Sequence, residues 1–177
     1  MTPLILSLEH SPVSAFTEVF SGADTVVFTA GAGGKGGQDR TRIVDYEGAL
    51  KVFDAIEAVP GKKPHLLLVS AADVRDRDKI PPHYVSIRIR RLSRMSYSLT
   101  PFVKQNEADR AASARAWLSL GNYFHWKYQA DKDLVGRTTF PWTIIRPTGL
   151  INEPGTGCAD IGRTHVTAMI SVREEAS

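Results

Sequence analysis

Hydrophobic and polar positions divide the chain into short apolar runs and longer periodic stretches. Leu4-Ile5-Leu6 is the first apolar run. Ser11 and Pro12 then offer a cap and a first position for a helix on which Val13, Phe16, Val19 and Phe20 recur at helical spacing. Thr25 to Thr29 reads as a short buried strand entering a loop with five glycines between Gly31 and Gly37. A second helix is expected from about Arg42 to Val59, with Ile43, Tyr46, Leu50, Phe53, Ala55 and Ile56 giving most of its apolar face; Pro60-Gly61 stops it. His65 to Val69 is a second apolar strand, which predicts parallel pairing with cover on both faces. Strand, helix and strand at this spacing make a βαβ pattern with a right-handed crossover.

A loop is expected from Ala71 through Pro81-Pro82-His83-Tyr84, then a strong helix from Glu107 to about Val135 with an interruption near Gly121. Trp142 to Arg146 is a third strand, closed by Pro147, and the residues after Glu153 read as loop with a weak last helix. The fold class is therefore α/β, in one domain of 177 residues.

Composition adds exclusions. No apolar run approaches the roughly 18 residues a membrane span needs. Met1 to Leu8 is too short for a secretory signal and lacks a basic start. The single cysteine, Cys158, rules out an internal disulfide framework and fits a reducing, cytoplasmic setting. The histidines at 10, 65, 83, 125 and 165 have no ligand spacing, so no metal is expected. The basic balance is local: Arg88, Arg90, Arg91, Arg94 and Lys104 exceed the net charge of +3, leaving the remainder mildly acidic. Neither a nucleic-acid nor a membrane partner is expected, because residues 85–105 hold few aromatics for stacking and no clean amphipathic period.

The chemistry-bearing pattern begins with the glycine loop. Gly31, Gly33 and Gly36 spell G-x-G-x-x-G, whereas Gly37 stands where a kinase-type phosphate loop needs lysine. Tyr123 and Lys127 sit four apart on one helix, where a lysine can lower a phenol's pKa and make it a proton donor or acceptor. Ser70 ends an apolar strand, the place where ligands bind in open α/β sheets.

Glycine loop, serine and Tyr/Lys pair come in the order found in the short-chain dehydrogenase/reductases. The chain resembles their atypical, NmrA- and epimerase-like members with an NAD(P)-binding Rossmann domain, over roughly residues 4–84 and 106–171. The likeness is carried by Val27 to Gly34, Val44 to Ala49, Leu67 to Ser70, Tyr123 to Leu134 and Thr143 to Leu150. It implies a Rossmann-like parallel sheet with flanking helices and NAD(P) as cofactor. By that likeness Ala30, Gly31, Ala32 and Gly33 would lie along the cofactor ribose, and Pro147, Thr148, Gly149 and Leu150 would flank the nicotinamide. Ser70 would polarise a small-molecule substrate's carbonyl, Tyr123 would protonate it, and Lys127 would hold the nicotinamide ribose and tune Tyr123.

The resemblance also reassigns the glycine loop. In the family the phosphate loop follows the first strand, whereas Thr25 to Gly37 resembles the fourth strand and its loop. The helix opening near Thr41 comes late for a pyrophosphate site, so the literal fingerprint is a coincidence of a ribose loop. Leu4 to Ser7 resembles the third strand, which implies a chain missing the first βαβα portion, and with it the residues that set NAD against NADP. Residues 85–105 read as a non-family insertion and 172–177 as a divergent tail, as an intron-retaining or mispredicted reading frame would produce; a spliced transcript still encoding 85–105 would sink that idea. The implied activity is oxidoreduction of a small carbonyl or alcohol. A non-catalytic dinucleotide-binding regulator or redox sensor is the alternative, as is an inactive truncated product. A sheet lacking one flank exposes an edge strand that a homodimer could cover.

Overall fold

The computed structural model describes residues 3–33, 36–74, 89–90, 107–147, 150–154 and 170–173. Helix α1 (Val13–Phe20) leads into strand β1 (Thr25–Phe28). A short α2 (Gly37–Thr41) runs through a π turn (Arg42–Glu47) into α3 (Gly48–Ala58), which precedes β2 (His65–Val69). A two-residue β3 (Ile89–Arg90), the long α4 (Glu107–Gly136), β4 (Trp142–Ile145), β5 (Leu150–Pro154) and β6 (Ile170–Arg173) complete the order.

The main sheet has the order β1-β2-β4-β3. β1, β2 and β4 are parallel, in the register Val27–Leu67–Thr143 and Phe28–Leu68–Ile144. β3 adds an antiparallel edge, Ile89 opposite Thr143, and is the described part of the expected insertion. β5 and β6 pair parallel in a separate two-stranded sheet, Leu150 opposite Ile170. The expected weak last helix is thus replaced, where it is described, by strand, in keeping with β-branched Ile151, Ile170 and Val172.

Alternation along the strands decides where the core lies. Leu66, Leu68, Trp142 and Ile144 point to one face and are fully buried against Phe16 of α1, Phe53 and Ile56 of α3, and Ala130 and Leu134 of α4. All three helices share this face. The opposite face carries Val27 (57% exposed), Ile145 (46% exposed), and the half-buried Leu67 and Val69. The expectation of cover on both faces therefore fails among the described residues.

Other differences have local causes. Ser11 does not cap α1: Pro12 holds that position, and the Ser11 hydroxyl instead accepts the Ser7 amide at 2.9 Å. Leu4 to Ser7 forms no strand, and among the described residues no strand pairs with it; Leu6 and Leu8 pack onto the core while Leu4 and Ile5 stay exposed. α4 runs unbroken through Gly121, where a Cβ would stand in ordinary contact, 3.6 Å from the Trp117 ring. The expected apolar face of the second helix is also rotated. The π turn winds wider than an α-helix and buries the consecutive Val44 and Asp45, leaving Ile43, Tyr46 and Leu50 half-buried.

Candidate functional site

The C-terminal ends of β1 and β2 meet the middle of α4. Tyr123, Lys127 and Asp131 lie at i, i+4 and i+8, one stripe of that helix, and Lys127 and Asp131 are buried. The stripe is anchored from the other side by the π turn, whose Tyr46 ring stacks on Trp126 at 5.5 Å and whose hydroxyl donates to Asp133 at 2.9 Å.

Lys127 crosses the first strand gap. Its ammonium lies 3.3 Å from the Val69 carbonyl and 3.4 Å from the Ala30 carbonyl, and it forms an ion pair with Asp45 Oδ1 at 3.2 Å. That oxygen faces the ammonium without hydrogen-bond alignment. Asp45 also accepts the Ala32 amide through Oδ2 at 3.0 Å, so one carboxylate fixes both the lysine and the glycine loop. The close approach explains Gly31: a Cβ there would stand 3.1 Å from Asp45 Oδ1. Gly33 turns left-handed, φ 63°, with open space where a side chain would project.

Asp131 crosses the second gap, between the ends of β2 and β4. Its Oδ2 accepts the Ser70 hydroxyl at 3.0 Å, Arg146 Nε at 3.1 Å and Arg146 Nη2 at 2.7 Å. Oδ1 is buried with no hydrogen-bond partner. Burial pushes the Asp131 carboxyl up from its ordinary value, opposed by Arg146, Ser70 and Lys127.

The expected sites are thus brought together in part. Ser70, Lys127, Ala30, Gly31 and Ala32 converge at the strand ends, and Tyr123 sits with its ring 5.7 Å from the Lys127 ammonium. Pro147 joins the same end, its carbonyl accepting the Ala72 amide at 3.0 Å. Thr148 and Gly149 lie outside the described residues, and Leu150 opens β5.

Two expected roles change. Lys127 does not lower the Tyr123 phenol: burial, helped by Asp45 and Asp131, pushes it up to about 12. The ammonium donates to two backbone carbonyls inside the protein, and its positive charge lies beside a carboxylate. Ser70 has one hydrogen and gives it to Asp131, so this arrangement leaves none for a substrate carbonyl.

Asp45, Asp131 and Arg146 escaped the residue reading, although signals existed. Asp131 continues the Tyr123–Lys127 spacing by one more turn. Asp45 is an acid on the stripe shared with Ala49 and Val52, and Arg146 is a cation closing an apolar strand.

The chemistry of this donor set fits one part of a dinucleotide. Exposed Gly31 and Gly33 present bare backbone suited to a ribose. A pyrophosphate fits less well. α2 does begin at Gly37, closer to the loop than expected, but it has only five residues and carries Asp39 in its first turn. No helix among the described residues is long and apolar enough to cross a membrane.

Comparison with known proteins gives the family and the fold. The family model described as NAD(P)H-binding matches residues 3–174. A UPF0659 protein of Schizosaccharomyces pombe is 40% identical over 149 residues, 84% of this chain and 51% of that protein. The uncharacterized sugar epimerase YhfK of Bacillus subtilis is 31% identical over 168 residues, 95% of this chain and 60% of YhfK. Among solved structures, a candidate NAD-dependent epimerase/dehydratase from Bacillus halodurans superposes with a TM-score of 0.62 at 25% identity, over 95% of this chain and 59% of that one. The oxidoreductase ylbE from Lactococcus lactis shares the fold, with a TM-score of 0.58 at 20% identity, over 94% of this chain and 58% of that one. The chain spans little more than half the length of these relatives. It belongs to the NAD(P)H-binding, Rossmann-like epimerase/dehydratase-type family, whose cofactor is NAD(P).

Proposed function

We propose that the chain carries the substrate-side part of an NAD(P)-dependent oxidoreductase site acting on a small alcohol or carbonyl compound. The observation that carries this reading is the Tyr123–Lys127–Asp131 stripe, set against the ends of β1 and β2 beside the Ala30–Gly33 loop. When bound, NAD(P) supplies or accepts the hydride. Tyr123 is the group in this reading that holds and moves the substrate-oxygen proton, at its phenolic oxygen. With its pKa near 12 it is a phenol at neutral pH and hence a donor. Lys127 acts as the clamp that joins β1, β2 and the glycine loop through Asp45. Gly31 and Gly33 would pass along the ribose, and Pro147 to Leu150 along the nicotinamide.

The test is a thermal melt of the chain with and without excess NADPH or NADH. Ligand at roughly a hundred times its dissociation constant adds about 2.7 kcal/mol, so a cooperative melt that moves upward supports cofactor binding. No shift with either cofactor overturns the reading. Turnover lost in Tyr123→Phe with the melt shift kept assigns the proton to Tyr123.

A second reading is favoured by a specific feature. Lys127 is held by two backbone carbonyls and the Asp45 carboxylate, and Ser70 donates its hydrogen to Asp131, an arrangement suited to a dinucleotide-binding regulator or redox sensor that needs no turnover. Cofactor binding without turnover on any alcohol or carbonyl, in wild type and Tyr123→Phe alike, would decide for it.

A further inference from the structure

We infer that the outer edge of β1 is a self-pairing interface, which takes the β1 of a second copy of this chain, antiparallel and centred on Val27. The inference stands apart from the oxidoreductase reading, because it uses the backbone of one edge strand and no proton-moving or cofactor-holding side chain.

The ladder decides which backbone groups are free. The His65 amide donates to the Asp24 carbonyl at 2.9 Å, whereas the Leu66 and Ser70 amides donate the other way, to Pro141 and Ile145. Backbone groups alternate sides along a strand. Asp24, Val26 and Phe28 therefore address β2, and Thr25, Val27 and Thr29 turn their N–H and C=O outward. β1 ends the sheet order, and no described strand lies against that outer edge. The same three residues have exposed side chains, Val27 at 57%. The usual protections of an edge are missing: Thr25 to Phe28 holds no charge and no proline, and its register with β2 has no bulge.

The occupant follows from the symmetry of those groups. A two-fold axis at Val27 sets Val27 against its own copy and Thr25 against Thr29 on either side. Each such pair exchanges two N–H···O bonds, so one register satisfies all three outward residues of both copies. Side chains match as well, since each pair is β-branched on both sides. Like charges do not meet: Asp24, already paired with Lys62 at 2.7 Å, comes opposite the uncharged Ala30 of the second copy. Sliding the copies by two residues is worse in either direction. One slide sets Thr29 against Ala23, whose amide is already given to Phe20 at 3.1 Å. The other sets Thr25 against Gly31, inside the glycine loop. A four-residue strand buries less than the roughly 1,200 Å² of a stable interface, so the dimer forms and dissociates with concentration.

The experiment is sedimentation of the whole chain at concentrations up to about 0.5 mM, with the expected result a monomer–dimer equilibrium. Val27→Lys should weaken it at least about tenfold, with the thermal melt of the dilute monomer unchanged. The register is read by oxidising Val27→Cys in a Cys158→Ser background. Opposed Val27 positions bring their Cα atoms to about 5.5 Å, within disulfide range, so a crosslinked dimer is expected. Val26→Cys, on the face packed against the core, should not crosslink. A monomer at every concentration, a dimer that survives Val27→Lys, or equal crosslinking at positions 26 and 27 overturns the inference.

Amide exchange in wild type keeps the test independent of any variant's folding. The Thr25, Val27 and Thr29 amides should be protected in concentrated protein and lose that protection on dilution. Protection that ignores dilution would mean that another part of the same chain covers the edge, and would overturn the inference.

Discussion

The two faces of the parallel sheet are built from alternate residues of the same three strands, yet their surroundings differ sharply. On one face Leu66, Leu68, Trp142 and Ile144 are buried under α1, α3 and α4. On the other, Val27 and Ile145 are exposed and Leu67 and Val69 half-buried. Both faces carry apolar residues, although Thr25, His65 and Thr143 also lie on the second, so hydrophobicity alone does not separate them. Position relative to the helices does. Every buried charge of the candidate site lies on the covered face, where low polarity strengthens each pair and makes it costly to leave one partner alone.

The largest effect should come from breaking the pair at the heart of that face. Lys127→Met leaves Asp45 buried without its cation and should cost about 3–5 kcal/mol. That is a large part of the stability of a domain this size, which is of order 5–15 kcal/mol. Adding Asp45→Asn to Lys127→Met should recover most of the loss, as read by urea denaturation. If the single variant melts like wild type, the buried pair is not what joins the glycine loop to the sheet.

Adjacent leucines give the comparison its cleanest form. Leu66→Ala removes a fully buried side chain and should cost about 2–5 kcal/mol. Leu67→Ala, one residue on and facing the other way, should cost about 1–2 kcal/mol because its site is already half open to solvent. Equal losses would mean that both faces are packed alike in solution.

A smaller effect appears at alkaline pH. Tyr123 has an ordinary value of 10.0, raised to about 12 when folded, so the folded state favours the protonated phenol. Its contribution is full below pH 10.0 and is lost as pH rises through about 12. Wild type should therefore lose stability faster than Tyr123→Phe over this window, and one tyrosine should ionise late in a phenolate absorbance titration. Parallel pH profiles for the two proteins would show that the phenol is not buried beside Asp45 and Asp131.

Much of this was legible in the chain. The apolar runs at Thr25–Thr29, His65–Val69 and Trp142–Arg146 located the three parallel strands to within a residue, because short runs rich in apolar and β-branched residues between turn signals announce themselves by composition. Tyr123, Lys127 and Ser70 were legible as types at meaningful places. What their hydrogens do was not, since that depends on Asp45 and Asp131, which reach them only through the fold. The π turn was hidden for a related reason: one wider turn moves Asp45 onto the buried side without leaving a gap in the apolar spacing. Leu4 to Leu6 failed as a strand because an apolar run needs a neighbouring strand for its backbone, and sequence pattern does not report whether one is present.

The smallest expected effect is the sharpest test of the bare face. Val27 sits on β1, at the edge of the sheet, with 57% of its surface exposed. Val27→Thr keeps the β-branched shape and changes only the polarity of that surface, so it should alter stability by no more than about 0.5 kcal/mol. Self-association should respond more than folding does. A homodimer, if it forms across this apolar edge, should weaken in Val27→Thr and be lost in Val27→Lys, because charge on an edge strand opposes pairing with another chain. Sedimentation of wild type and both variants over a range of concentrations reads this directly. A loss of more than about 1 kcal/mol in Val27→Thr, independent of protein concentration, would show that the face is covered from within the chain. The contrast between the two faces would then belong to the described residues alone and not to the protein in solution.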